Sequence, residues 1–191
     1  MNVGFPSPVT TPELPAPRIL VTGHDDAGRA VLIADGPPRR SVALEAVPGT
    51  VFHEVWSTRE SPARVDAAPE GPDASFALAP PPGGSRVRIV DIPPDSVQAA
   101  LSPDEVASAF AEIGAPEAGT GGDRAPHPLM HRTDTVDYGI VLVGEVWLVV
   151  DEGETRLSPG DVVIQRGTNH AWSNRTDAVA RMAFVLLDGV R

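Results

Sequence analysis

Apolar and polar residues alternate over most of this chain, and a helical period stands out in one segment. "RILVTG" and "RAVLIAD" flank "HDDAG", a polar turn in which Gly28 can take positive φ, and the three together predict a β-hairpin. "TVFHEVWST" reads as a third strand. "RVRIVDIP" reads as another, after "APEGPDASFALAPPPGGS", whose Pro and Gly density predicts a long surface loop. In "SPDEVASAFAEIGA" the period changes: Val106, Phe110 and Ile113 recur at spacings of four and three and predict a buried helical stripe. Ser102 suits the N-cap, Pro103 the first helical position, Glu105 the third position of a capping box and Gly114 the C-terminal stop. This short helix is expected to pack, without a chemical role. Beyond a second loop at 115–128, alternation returns in "YGIVLVGEVWLVVD", "TRLSP", "GDVVIQ", "RGTNHAWSN" and "ARMAFVLLD". Short strands punctuated by glycine predict an antiparallel sandwich or small barrel.

The totals narrow this picture. With 191 residues, 41% of them hydrophobic, the chain can fill one core. Residues 1–17 contain five prolines and little to bury, which predicts a tail or an extended arm. Twenty-six acidic residues against 15 basic ones give a formal charge of −11, and no basic run is present to track phosphates, so nucleic acid is not an expected partner. The opening "MNVGFPSPVTTPELPAP" has neither a charged n-region nor an apolar h-region, and no apolar run approaches the roughly 18–20 residues that span a bilayer. A soluble cytoplasmic protein with no membrane partner is expected. The absence of cysteine excludes disulfides, thiolate metal sites and a cysteine nucleophile.

Chemistry therefore rests largely on five histidines. His24 falls in the hairpin turn and is expected to be solvated. His53, between Val51 and Val55 on a strand, suits a satisfied structural role. His127, between two prolines, is expected to be exposed. His131 and His170 stand in richer surroundings. His131 and Thr133 share one face of an extended segment, Asp137, Gly139 and Val141 share a face of the next, and His170 follows the turn at Gly167. If both segments line one interior, two imidazoles and a carboxylate converge there. Trp172 should share the inward face of His170 and form an aromatic wall suited to a small organic substrate, with Tyr138 pointing away. Arg166 and Arg181 are candidates to meet a substrate carboxylate.

"HRTDTVDYGIVLVG" and "GDVVIQRGTNHAWSN" resemble the two conserved motifs of the cupins. His131 matches the first histidine of the first motif, Asp137 its glutamate and Gly144 its closing glycine. Gly160, Gly167, His170 and Asn174 match the glycines, histidine and asparagine of the second. The chain departs from the pattern at Thr133, which replaces the second histidine, at Asp137, Gln165 and Ala125, and in a second motif one residue shorter. The resemblance covers residues 128–188, about a third of the chain.

It implies an all-β cupin barrel, a double-stranded β-helix of jelly-roll type, with additional N-terminal strands and the short helix at 18–114. It also implies a homodimer, as cupins commonly form, and a divalent transition metal, Fe, Zn, Mn or Ni. The metal would be held by His131, Asp137 and His170, which would double as the catalytic residues. Two imidazoles and one carboxylate suffice for non-haem Fe(II), Zn(II) or Mn(II) with open positions. Trp172, Thr133 and Arg181 would contact substrate. The expected function is lyase or isomerase chemistry, such as decarboxylation, dehydration or cyclisation, on a small oxo- or hydroxy-acid-like substrate. The alternatives are an Fe(II) dioxygenase, a metal-free isomerase using His131, His170 and Asp137 as acid and base, or a cupin that binds a ligand without catalysis.

Overall fold

The computed structural model describes residues 13–65, 76–98, 101–122 and 124–191. The first twelve residues of the Pro-rich arm and residues 68–75 of the expected long loop lie outside these. The predicted hairpin forms from β1 (Ile19–His24) and β2 (Ala30–Gly36), with Gly28 in its turn at φ 76°. It is a separate two-stranded ribbon, and Leu20, Leu32 and Ile33 are exposed on it. His24 ends β1 and is exposed, as expected.

The strands β3 (Arg40–Ala43), β4 (Val51–Thr58) and β5 (Ser85–Ile92) follow, then α1 (Asp95–Gln98) and α2 (Pro103–Glu112). The C-terminal half contributes β6 (Thr135–Val143), β7 (Val146–Val150), β8 (Gly153–Leu157), β9 (Val162–Arg166), β10 (His170–Ser173) and β11 (Ala180–Asp188). β3 and α1 are additions to the elements expected from sequence. One sheet runs β3-β4-β5-β11-β6-β9 and a second runs β10-β7-β8. β3, β4 and β5 thus lengthen the sheet of the C-terminal half through the antiparallel pairing of β5 with β11, while β1 and β2 stay apart from it. The core lies between the sheets, where Val141, Met182 and Phe184 of the larger meet Val146 and Leu157 of the smaller.

Two glycines are required by this packing. Gly144 turns β6 into β7 at φ 75°, and a Cβ there would stand 3.1 Å from Ala180. Gly139 faces inward on β6, and a Cβ there would come within 3.2 Å of the Phe184 ring. Asn174, the second-motif asparagine, ties the end of β10 to both neighbours. Its amide donates to Ile92 O and Ala178 O, and its Oδ1 accepts from Thr176 N and Oγ1.

The helix begins as the sequence dictates: the Ser102 hydroxyl accepts from Glu105 N and the Glu105 carboxylate accepts from Ser102 N. Its last acid, Glu112, accepts from Glu45 N (2.8 Å) and Ala46 N (3.1 Å), fastening α2 to the β3–β4 turn. The loop before β6 is also anchored, since Thr120 N donates to Met130 O and Arg132 N to Ala118 O. His127 corrects the expectation of exposure. It is buried, its Nδ1 accepts from Leu129 N, and its Nε2 lies 3.8 Å from Asp95. Among the described residues no helix is long and apolar enough to cross a membrane.

Candidate active site

Sheet register determines which side chains meet. On the larger sheet Arg88 pairs with Phe184 and Phe184 with Gly139, while Arg86 pairs with Leu186 and Leu186 with Asp137. Because alternate residues share a face, both rows point toward the core. Opposite them an isolated antiparallel bridge joins His131 to His170. A cavity of about 140 Å³ lies between, lined by His131, Thr133, Asp137, His170, Trp172 and Arg88 and by apolar side chains of both halves. α2 closes one side with Ala109, Phe110 and its C-cap Ile113, so the helix expected only to pack is a cavity wall.

The rings form a continuous series. Phe110, His131, His170, Trp172 and Phe184 follow one another with centroids 5.8, 4.3, 5.4 and 5.4 Å apart. Both imidazoles are oriented by backbone: His131 Nδ1 lies 2.9 Å from Leu129 O and His170 Nδ1 lies 3.0 Å from Thr168 O. A carbonyl can only accept, so each Nδ1 carries the proton and each Nε2 keeps its lone pair. Burial and the nearness of His131 depress His170 to about 3, and burial likewise lowers His131. Both rings are neutral at pH 7.

Asp137 is displaced the other way. Desolvation raises it to about 6, against a lowering hydrogen bond from Thr135 and the field of Arg88, and its Oδ1 is buried without a hydrogen-bond partner. Thr133 lines the cavity with its hydroxyl 2.7 Å from that of Thr135. The sequence-predicted residues His131, Thr133, Asp137, His170 and Trp172 therefore meet at one cavity. Tyr138 points outward as expected.

The expected role of Arg181 is corrected. Arg181 is not among the cavity residues: its guanidinium is held in two hydrogen bonds by Asp91 (2.5 and 2.8 Å) and donates to Pro15 O. Asp91 also lies 3.3 Å from His53 Nε2, whose Nδ1 meets Ser41 Oγ at 2.8 Å, so His53 has the satisfied structural role expected of it. Arg166 is exposed at the end of β9.

Sequence reasoning missed Arg88, Gln98 and the α2 residues of the wall. Arg88 is 1% exposed, with Nε 3.1 Å from Glu54 and Nη2 2.7 Å from Ala77 O. A signal existed: Arg86 and Arg88 share the parity of Val90 and Ile92, and an alternation that ends in Val and Ile marks that face as inward. Glu54, at the same parity as Phe52 on the paired strand β4, supplies the counter-charge.

Residues 118–186 match the Cupin domain family. Phomopsin biosynthesis cluster protein C' of Diaporthe leptostromiformis is 37% identical over 193 residues, covering 93% of this chain and 82% of that protein. The chain belongs to the cupin superfamily. Two further relatives of this cupin are named cupin-domain-containing oxidoreductases. fogC of Aspergillus ruber is 30% identical, with 88% of this chain and 70% of the relative covered. srdB of Neurospora crassa is 31% identical, with 95% and 80% covered.

The Nε2 lone pairs of His131 and His170 fit a divalent transition ion, since a ligating histidine is commonly oriented by a carbonyl at its other nitrogen. Asp137 contributes an unpartnered oxygen to the same cavity. Among the described residues, however, no three His, Asp or Glu side chains gather into a group able to hold a metal ion. The imidazole pair fits, and Asp137 as placed does not complete the set.

Proposed function

We propose that this cupin is a small-molecule enzyme that moves a proton on a compact, largely apolar substrate of the oxo- or hydroxy-acid type. The products would be those of isomerisation, dehydration, decarboxylation or cyclisation. The observation that carries the proposal is the buried Asp137 carboxyl, its Oδ1 without a hydrogen-bond partner, on the same cavity as two neutral, backbone-oriented imidazoles. A carboxyl held near 6 exchanges protons close to neutral pH, which suits a general acid or base. In an isomerisation, Asp137 takes a proton from the carbon beside a carbonyl and returns it at another position of the same molecule. His131 and His170, too weakly basic for that step, receive a substrate hydroxyl through Nε2 and orient it. Phe110, Trp172 and Phe184 give the cavity apolar walls around the transfer. Relatives named for a biosynthesis cluster support a place in secondary metabolism.

A second reading has support of its own in the orientation of both histidines through Nδ1 and in the oxidoreductase names of relatives. In it, His131 and His170 hold a divalent transition metal, with Asp137 or water completing the set. Such an ion would supply Lewis-acid polarisation of a carbonyl or, as iron, oxygen chemistry.

The test is solvent deuterium incorporation, followed by NMR across a panel of small oxo- and hydroxy-acids, using wild type, Asp137→Asn and His170→Ala with metal content measured in each. Exchange or conversion by wild type that drops at least 100-fold in Asp137→Asn, in metal-free protein, supports proton transfer by Asp137. Ligands that bind without exchange, equally in wild type and Asp137→Asn, would reduce the site to a binding module. A near-stoichiometric metal lost with His170→Ala would favour the second reading.

A further inference from the structure

Besides Asp137, two buried polar groups of the cavity lack a hydrogen-bond partner among the described residues. Arg88 donates through Nη2 to Ala77 O and Glu54 and its Nε lies 3.1 Å from Glu54 in an ion pair, while neither Nε nor Nη1 makes a hydrogen bond. Gln98, 2% exposed at the end of α1, donates through Nε2 to Pro93 O, while its Oε1 accepts nothing. Both residues line the cavity. A buried donor of a charged group left without an acceptor is costly, and a ligand that enters the cavity with an acceptor relieves that cost.

We propose that Arg88 is the anion-recognition residue of this cavity and that the ligand is a one-ring-sized carboxylic acid, with its carboxylate on Arg88 Nη1 and a hydrogen-bond donor toward Gln98 Oε1. Three features converge on that class. The Arg88 guanidinium is fixed by Glu54 and by the Phe52 and Phe76 rings, at 5.5 and 5.3 Å, so its free edge is pre-organised. The volume, about 140 Å³, is close to that of apolar cavities of ~150 Å³ that admit a benzene ring. The rest of the lining is mostly apolar, which suits a ring and leaves few donors for a phosphate. The inference rests on the cavity being the substrate site, as proposed above, and assigns the acidic end of the substrate to Arg88.

Calorimetric binding of benzoate, 4-hydroxybenzoate and the neutral isostere benzamide tests it without turnover. Wild type should bind the acids at least 10-fold more tightly than benzamide. Arg88→Met should lose the preference, Arg88→Lys should keep part of it, and Gln98→Leu should weaken 4-hydroxybenzoate more than benzoate. Should Arg88→Met fail to fold, the wild-type preference and the Arg88→Lys and Gln98→Leu variants still decide. Equal affinity for acid and amide, or no saturable binding of the acids, would overturn the proposal. Selective acid binding without proton exchange by any ligand would leave Arg88 as the anion site and remove the enzymatic reading. Exchange that proceeds equally on neutral amides would do the reverse.

Discussion

His131 and His170 are joined twice: their backbones exchange two hydrogen bonds, at 2.8 and 3.0 Å, and their rings stand 4.3 Å apart. An antiparallel pair that exchanges both bonds places its side chains on the same face. The bridge therefore decides that both imidazoles enter one cavity, and it brings His131 close enough to oppose the protonation of His170. Orientation comes from the backbone carbonyls of Leu129 and Thr168, so neither ring relies on a neighbouring side chain to hold its tautomer.

This pairing makes the fold sensitive to acid. His170 is depressed to about 3 in the folded state and returns to its ordinary value when unfolded. Between about pH 6.5 and 3 the unfolded chain binds the extra proton, and stability falls as pH falls through that window. At pH 4 the loss is about 3 kcal/mol for this group. His170→Asn should lose correspondingly less stability than wild type between pH 7 and pH 4 in urea titrations. Parallel pH dependences would contradict the assignment.

Asp137 carries the opposite sign. Its folded carboxyl titrates at about 6, above the unfolded value near 4, so the folded state holds the proton more tightly. Its contribution is present below about pH 4 and is lost as pH rises through 6. Asp137→Asn removes that loss. Relative to wild type it should gain roughly 2–3 kcal/mol on going from pH 3.5 to pH 8, seen as a growing Tm difference, while proton exchange collapses.

Arg181 and Asp91 form a buried bidentate pair outside the cavity. Arg181→Ala leaves Asp91 without its cation and should cost about 3–5 kcal/mol. Calorimetric ligand affinity, normalised to folded protein, should be unchanged. A selective loss of acid binding would return Arg181 to the substrate site.

Phe110 closes the cavity from α2 and is 5% exposed. Phe110→Ala should cost about 3–5 kcal/mol in chemical denaturation. It should also admit two-ring acids such as naphthoate, which the wild-type cavity is too small to take. Unaltered size selectivity in a destabilised variant would show that α2 supports the fold without bounding the ligand.

The sequence alone determined the local elements that short-range chemistry controls. Alternation gave the strands other than β3, and Gly28 marked a turn that takes positive φ. Ser102, Pro103 and Glu105 specified the start of α2 within a few residues of chain. The alternation put His131, Asp137 and His170 on candidate inward faces, and their spacing resembles the cupin motifs, so one wall of the cavity was legible in the sequence. Tertiary structure decided what lies opposite that wall. β5 belongs to the N-terminal half, yet its pairing with β11 carries Arg88 into the site, while the fastening of Glu112 to the β3–β4 turn brings Phe110 over it. It also took Arg181 away, because Asp91 on the paired strand holds the guanidinium across 90 residues of sequence. The physical reason is common to these cases. Periodicity fixes the face a side chain occupies on its own element, whereas the partner it meets depends on strand register and packing between segments distant in sequence, which no local pattern encodes.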